Sequence, residues 1–177
     1  MLKGVGTSGG EPHPAADFEL LYERFRLPLY RFVRAMVLDA EAAEELTRRA
    51  FDRAYSARGR FAEHLSPAAW LYGFGVRVSM SHLRRRRLVR LLGGGRSALQ
   101  ESDQTEGRSG VEVALAALTP NLRAVALLGL YVHLSSEEIG SILGMSEETV
   151  GSRLQAATQV MTAAIAGGRR AEATGPR

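Results

Sequence analysis

The side chains usually recruited for metal or acid–base chemistry are sparse in this chain. Its four histidines, His13, His64, His82 and His133, stand at no i, i+4 spacing that would set two of them on one helix face. With no cysteine among 177 residues, disulfides, thiolate metal sites and thiol catalysis are all excluded. There is no glycine-rich phosphate loop, nucleophile elbow or paired ligand motif. The expectation is therefore a protein that is not an enzyme, with no metal, cofactor or small-molecule substrate. What remains is cationic: Arg84, Arg85, Arg86 and Arg87 run consecutively. Such a run can follow a phosphate backbone; the plainer reading is a solvated helix end favoured by the helix dipole.

Charge is unevenly divided. Residues 17–96 hold 16 Arg and 9 acidic residues, net +7, while residues 112–166 hold 2 Arg and 5 Glu, net −3. The basic half favours polyanionic partners such as nucleic acid. No apolar run reaches the roughly 18 residues that cross a bilayer. The opening MLKGVGTSGGEPHPAAD has no signal-peptide core, so a cytoplasmic protein without membrane contact is expected.

Helical periodicity positions these residues. Phe18, Leu21, Phe25, Leu29, Phe32, Val33 and Met36 predict an amphipathic helix over 17–38, with Pro28 a candidate kink. A second helix fits 41–57, with acidic residues at its start. Ser66 and Pro67 are an N-cap and first-turn pair opening a third helix through Trp70 and Phe74 into the arginine run. Trp70, at helical spacing with Phe74, reads at least in part as packing. Residues 93–110, GGGRSALQESDQTEGRSG, read as a flexible linker. Beyond it, 111–118, 121–132, 135–143 and 147–165 are each helical in period, and nothing alternates with the period of a strand. The expectation is an all-α chain of two small helical domains, 17–92 and 111–166, with tails at 1–16 and 167–177.

Residues 135–154 carry a more specific pattern. Ser135 and Glu138 form a capping box, Gly144 sits where a turn needs positive φ, and Ser146 caps the next helix. Ile139, Leu143, Val150 and Leu154 point inward, and Gly140 is the small residue at the crossing. This spacing belongs to DNA-binding helix-turn-helix units. A helical hairpin with no DNA role is the alternative.

Taken together, the two halves resemble RNA polymerase sigma factors of the extracytoplasmic-function (ECF) type. AEELTRRAFDRAY (43–55) is similar to the family's A-E-D-L-V-Q-E-x-F-x-R-A-W, and PAAWLYGFGVRVSMSHLRRRR (67–87) to its x-x-A-W-L-Y-R-I-A-R-N-x-x-x-D-x-L-R-R-x-R. LTPNLRAVALLGLYVHLSSEEIGSILGMSEETVGSRLQAA (118–157) follows the second-half pattern without a gap. The resemblance implies sigma region 2 over 17–92 and region 4 over 111–166, with core RNA polymerase, promoter DNA and an anti-sigma factor as partners. It implies a polymerase-docking face at Glu44, Glu45, Arg48, Arg49 and Asp52. The melted minus-ten strand would meet Trp70, Arg77, Ser81, His82, Arg84 and Arg85, with Arg86 and Arg87 continuing the track. The helix from Glu147 would enter the major groove at the minus-thirty-five element, offering Glu148, Thr149, Ser152, Arg153 and Gln155. Arg123 matches a position that contacts the DNA backbone.

The chain departs from the family in three places. Arg48 and Arg49 replace amide and acidic residues on the docking face, where like charge across an interface costs several kcal/mol. Gly151, Gln155 and Ala156 replace Lys, His and Arg on the recognition helix, which weakens salt-dependent duplex binding. Gly73, Gly75, Val76 and Ser81 replace Arg, Ala, Arg and Asp, and each helix-interior glycine costs roughly 1 kcal/mol relative to alanine. A degenerate sigma-like interaction module, or a helix-turn-helix regulator that no longer initiates transcription, is the alternative these departures raise.

Overall fold

Leu21, Phe25, Leu29, Phe32, Val33 and Met36 follow one another at helical spacing and are all buried, so they make one continuous inner face for α1, Phe18–Val37. The computed structural model that shows this describes residues 12–61, 64–92 and 109–173. Pro28 lies inside α1 without interrupting it. The helix stops at Leu38, which takes a left-handed conformation (φ 57°) and returns its N–H to the Arg34 carbonyl at 2.8 Å.

Asp39 then caps α2, Ala40–Ala57, by accepting the Ala42 N–H at 3.0 Å. After a short 3₁₀ turn at Arg58–Arg60, Ser66 caps α3, Pro67–Leu92, by accepting the Ala69 N–H at 3.1 Å. The first half of α3 is buried nearly all round, because it lies between α1 and α2. Gly75 is required there. A β-carbon at that position would stand 2.9 Å from Leu29 Cδ1, so the glycine lets α1 and α3 approach closely. The last turns of α3 emerge into solvent, with Leu88, Val89, Leu91 and Leu92 all exposed.

The second group comprises α4 (Gly110–Ala116), α5 (Pro120–Ala126), α6 (Ser136–Leu143) and α7 (Glu147–Ala173). Three of these packing partners, α4, α5 and α6, lie against α7. A capping box at Ser109 and Glu112 starts α4, and Thr119 with Pro120 starts α5. The end of α5 widens into a π turn at Leu127–Tyr131 before α6. Ala114, Leu115, Leu118, Val125, Leu128, Ile139, Val150 and Ala157 form the core of this group.

The described residues are thus helical with no strand, and the all-α expectation holds. Boundaries differ in three places. Residues 14–16, assigned to a tail, form a turn in which Pro14 is fully buried, and His13 packs edge-on against Phe61 at 5.2 Å. Ser109 and Gly110, given to the linker, are the cap and first residue of α4. Helix α7 continues to Ala173 through residues expected to be tail. Residues 1–11, 93–108 and 174–177, the rest of the expected tails and linker, lie outside the described residues. No helix among the described residues is long and apolar enough to cross a membrane.

Candidate nucleic-acid and polymerase interface

Three surfaces gather the side chains singled out by sequence. On α2, Glu44, Arg48, Arg49 and Asp52 are exposed and Glu45 half-buried, all on the side away from the core. Arg48 donates to Glu45 at 2.8 Å and to Asp52 at 3.3 Å, while Arg49 donates to Glu45 at 2.7 Å. These hydrogen bonds from Arg48 and Arg49 hold the Glu45 carboxyl below its ordinary range, and the Glu45 partner raises Arg48. Such exposed pairs add little stability. Their electrostatic effect is larger than their energy: the two arginines that depart from the family present themselves already neutralised by their own helix.

On α3, Trp70 is 9% exposed and stands between Phe61 and Phe74, with ring centroids at 5.6 and 5.0 Å, both edge-on. It is a packing residue in this arrangement. Arg77 stacks over Phe74 at 4.3 Å, and burial, then the nearby Arg53, lowers its guanidinium below the ordinary value. One turn on, Ser81 is exposed. His82 is half-buried, with no partner for Nε2 among the described residues. Burial first, and Arg86 second, push its imidazole down, which keeps it neutral at physiological pH. The arginine run is divided: Arg84, Arg85 and Arg87 are exposed, whereas Arg86 is half-buried and reaches Asp39 at 3.5 Å. The track is therefore open to solvent and not sealed in the core.

The helix-turn-helix is built as its sequence dictates. Ser135 accepts the Glu138 N–H, and the Glu138 carboxylate accepts the Ser135 N–H, each at 3.1 Å. Hydrogen bonds from Ser66 and Ser135 more than offset the upward push of burial and leave Glu138 below its ordinary pKa. Gly144 takes φ 67°, as the turn requires. Gly140 meets the turn itself: a β-carbon there would lie 2.6 Å from the Met145 carbonyl oxygen. Ser146 caps α7 by accepting the Thr149 N–H at 3.2 Å, and the two hydroxyls are 2.9 Å apart. Glu148, Ser152 and Gln155, spaced by four and three, share an exposed face of α7, with Thr149 and Arg153 half-buried beside it. Among the described residues Arg153 forms no ion pair with Glu147 or Glu148.

Arg123 stands apart from the others. It is 7% exposed, and its guanidinium donates to three carbonyls: Leu115 at 2.8 Å, Met36 at 2.7 Å and Leu118 at 3.0 Å. Burial lowers its pKa to about 10, so it stays cationic at neutral pH. Here it is an interior residue whose guanidinium is engaged by main-chain carbonyls. Sequence reasoning read Ser66 only as a cap and passed over Asp39. The acidic residue directly before AEAAEEL was a readable N-cap signal for Asp39.

Residues 21–89 match the model for sigma-70 region 2, and residues 109–159 match that for sigma-70 region 4. The ECF RNA polymerase sigma factor SigC of Mycobacterium tuberculosis is 30% identical over 145 residues, 76% of each chain. SigL of the same organism, also an ECF RNA polymerase sigma factor, is 27% identical over 163 residues, covering 88% of this chain and 92% of SigL. The fold is shared with the sigma factor RpoE of Bartonella quintana, solved in complex with the anti-sigma factor NepR: TM-score 0.66 at 20% identity, over 84% of this chain and 96% of that one. A buried three-helix group followed by a helix-turn-helix, each matched in chain order, places this chain in the sigma-70 family as a member of its ECF group.

Proposed function

We propose that this chain directs core RNA polymerase to promoters, with α2 docking on polymerase, α3 meeting the opened minus-ten strand and α7 lying in the minus-thirty-five major groove. The observation that carries this reading is the open arginine track of α3, on one chain with a helix-turn-helix whose caps, turn and crossing glycine are all formed. An opened strand needs cations for its phosphates and shaped surfaces for its bases. Arg84, Arg85 and Arg87 supply the first, and Ser81, Arg77 and the Phe74 ring lie one to three turns away along α3. Neither domain needs high affinity of its own. Polymerase holding both at once raises the effective concentration of each at its element. An anti-sigma factor is a further expected partner, of the kind that RpoE has in NepR.

The test is transcription by core polymerase from the source organism with this chain, on a library of its genomic fragments. Specific start sites sharing two spaced elements are expected. Binding to polymerase without initiation would show an interaction module that has lost promoter opening, and would overturn the reading. A narrower prediction concerns docking. Because Arg48 and Arg49 are already paired with Glu45 and Asp52, replacing them together by Gln and Glu is expected to tighten polymerase binding by less than about tenfold, within the energy of exposed pairs. Fluorescence titration of labelled polymerase measures this; a weaker complex would mean that the arginines themselves contact the clamp.

A further inference from the structure

Helix α3 carries six arginines and no acidic residue, and its free end is apolar as well as cationic. Among the described residues, Leu83 is its last apolar side chain to pack against the core. Beyond it Leu88, Val89, Leu91 and Leu92 are exposed by 55, 62, 72 and 79%. Single exposed aliphatics are ordinary on any protein surface, but no other stretch of five described residues exposes four large apolar side chains. Leu88, Leu91 and Leu92, spaced i, i+3 and i+4, share one face of the helix, with Val89 at its edge. Arg84, Arg85 and Arg87 stand one turn back, each four residues before Leu88, Val89 and Leu91 respectively. All three are exposed, and among the described residues none of them forms an ion pair. On α2, by contrast, the arginines are neutralised by Glu45 and Asp52. The end of α3 is thus an apolar tip with a cationic collar one helical turn, about 5 Å, behind it.

We infer that this end of α3 binds an anionic lipid surface. Helices that lie at a bilayer interface bury apolar side chains about 5–10 Å below the headgroups while arginines stay at headgroup level, and the tip and collar have that separation. A projecting helix end suits a deformable surface, whereas a folded protein would have to supply a packed hollow for each of the four side chains. A second copy of this chain is disfavoured by charge, because it would bring the same uncompensated arginines together. The expectation of no membrane contact rests on the lack of a spanning segment and of a signal peptide. No helix among the described residues can cross a bilayer, and a helix lying on the surface need not. Neither half of the device suffices alone: a few inserted aliphatics or a few cations each give marginal attachment, and together they give reversible binding that salt weakens. Arg84 and Arg85 are also the groups that the proposed function assigns to the opened strand, so lipid and strand exclude one another. That exclusion rests on the proposed function; lipid binding does not.

The test is flotation of the full chain with vesicles of phosphatidylglycerol mixed equally with phosphatidylcholine, and with vesicles of phosphatidylcholine alone. Binding to the first and not to the second is expected, weakening at least about tenfold as salt rises from roughly 0.05 to 0.5 M. Leu91→Gln with Leu92→Gln should lower vesicle affinity at least about tenfold. Leu91→Phe with Leu92→Phe should keep it within about twofold, because a bilayer reads apolarity and not shape. Both pairs alter exposed side chains, so thermal melting should match that of the parent. Absence of binding to the anionic vesicles, or binding that the glutamines leave unchanged, overturns the inference. A loss in the phenylalanine pair as large as in the glutamine pair does so too, since shape would then be what is read. Release of the chain by soluble glycerol phosphate, at the phosphate concentration of the vesicles, would show arginines taking phosphate without a surface and would also overturn it. Anionic vesicles should further displace a labelled single-stranded DNA oligonucleotide from the parent, read by anisotropy. Simultaneous binding of both overturns the exclusion. If vesicles bind as expected while the chain holds no oligonucleotide, the strand reading fails and the lipid surface stands.

Discussion

Replacing Gly140 by alanine is expected to destabilise the second domain by up to about 2 kcal/mol and to lower minus-thirty-five duplex binding at least about tenfold. The added β-carbon would stand 2.6 Å from the Met145 carbonyl oxygen, a backbone atom that cannot rotate away. The same two residues are joined by the Met145 N–H donating to the Gly140 carbonyl at 3.0 Å, so the turn cannot yield without losing that bond. Overpacking of this kind costs about 1–3 kcal/mol, and the helix propensity of alanine returns roughly 1 of it. Gly151→Ala is the matched control. It lies in α7 with nothing within 4 Å of a new β-carbon, so alanine there should stabilise by up to about 1 kcal/mol. Urea denaturation of the two variants should give shifts of opposite sign; shifts of the same sign would remove Gly140 from its place at the crossing.

The second large effect is expected at the arginine track. Each single-strand phosphate contact contributes about 0.7 to the slope of log affinity against log salt, so Arg84→Ala with Arg85→Ala should flatten it by about 1.4. Extrapolated to roughly 0.1 M salt, that is about 25-fold in affinity for the opened strand, or about 1.9 kcal/mol. Thermal stability should move by less than about 0.5 kcal/mol, because both side chains are exposed. Arg86→Ala is expected to affect strand binding less, since its guanidinium reaches Asp39 at 3.5 Å. Salt titration of open-complex formation measures both variants. An unchanged slope in the double variant would return Arg84 and Arg85 to the role of a solvated helix end.

Local features were legible in the sequence and distant ones were not. The Ser135–Glu138 box, the Gly144 turn, the Ser146 cap and the Ser66–Pro67 start each involve groups within a few residues of one another, so spacing alone specifies them. The glycines of α3 looked like a penalty in isolation. Gly75 is explained only by Leu29, far away in the chain and close in space. For Arg123 only the family resemblance offered a role, because its acceptors are carbonyls, which every residue carries and no spacing marks. The π turn at Leu127–Tyr131 left no glycine or proline at its exit; His133 takes φ 64° there instead. On α2 the sequence showed two foreign charges, and only the side-chain geometry shows that Glu45 and Asp52 absorb them. Contact of the two domains follows the same rule, being made between segments that a linker separates.

All three oxygens that Arg123 engages belong to the main chain, at Met36, Leu115 and Leu118. Any amino acid at those three positions would offer the same oxygen, so neutral drift there leaves the acceptors intact. The whole genetic burden of the contact falls on a single codon, that of the arginine. Homologous chains can exchange one buried apolar residue for another at these positions without losing an acceptor, and should lose the link in one step wherever the arginine is replaced.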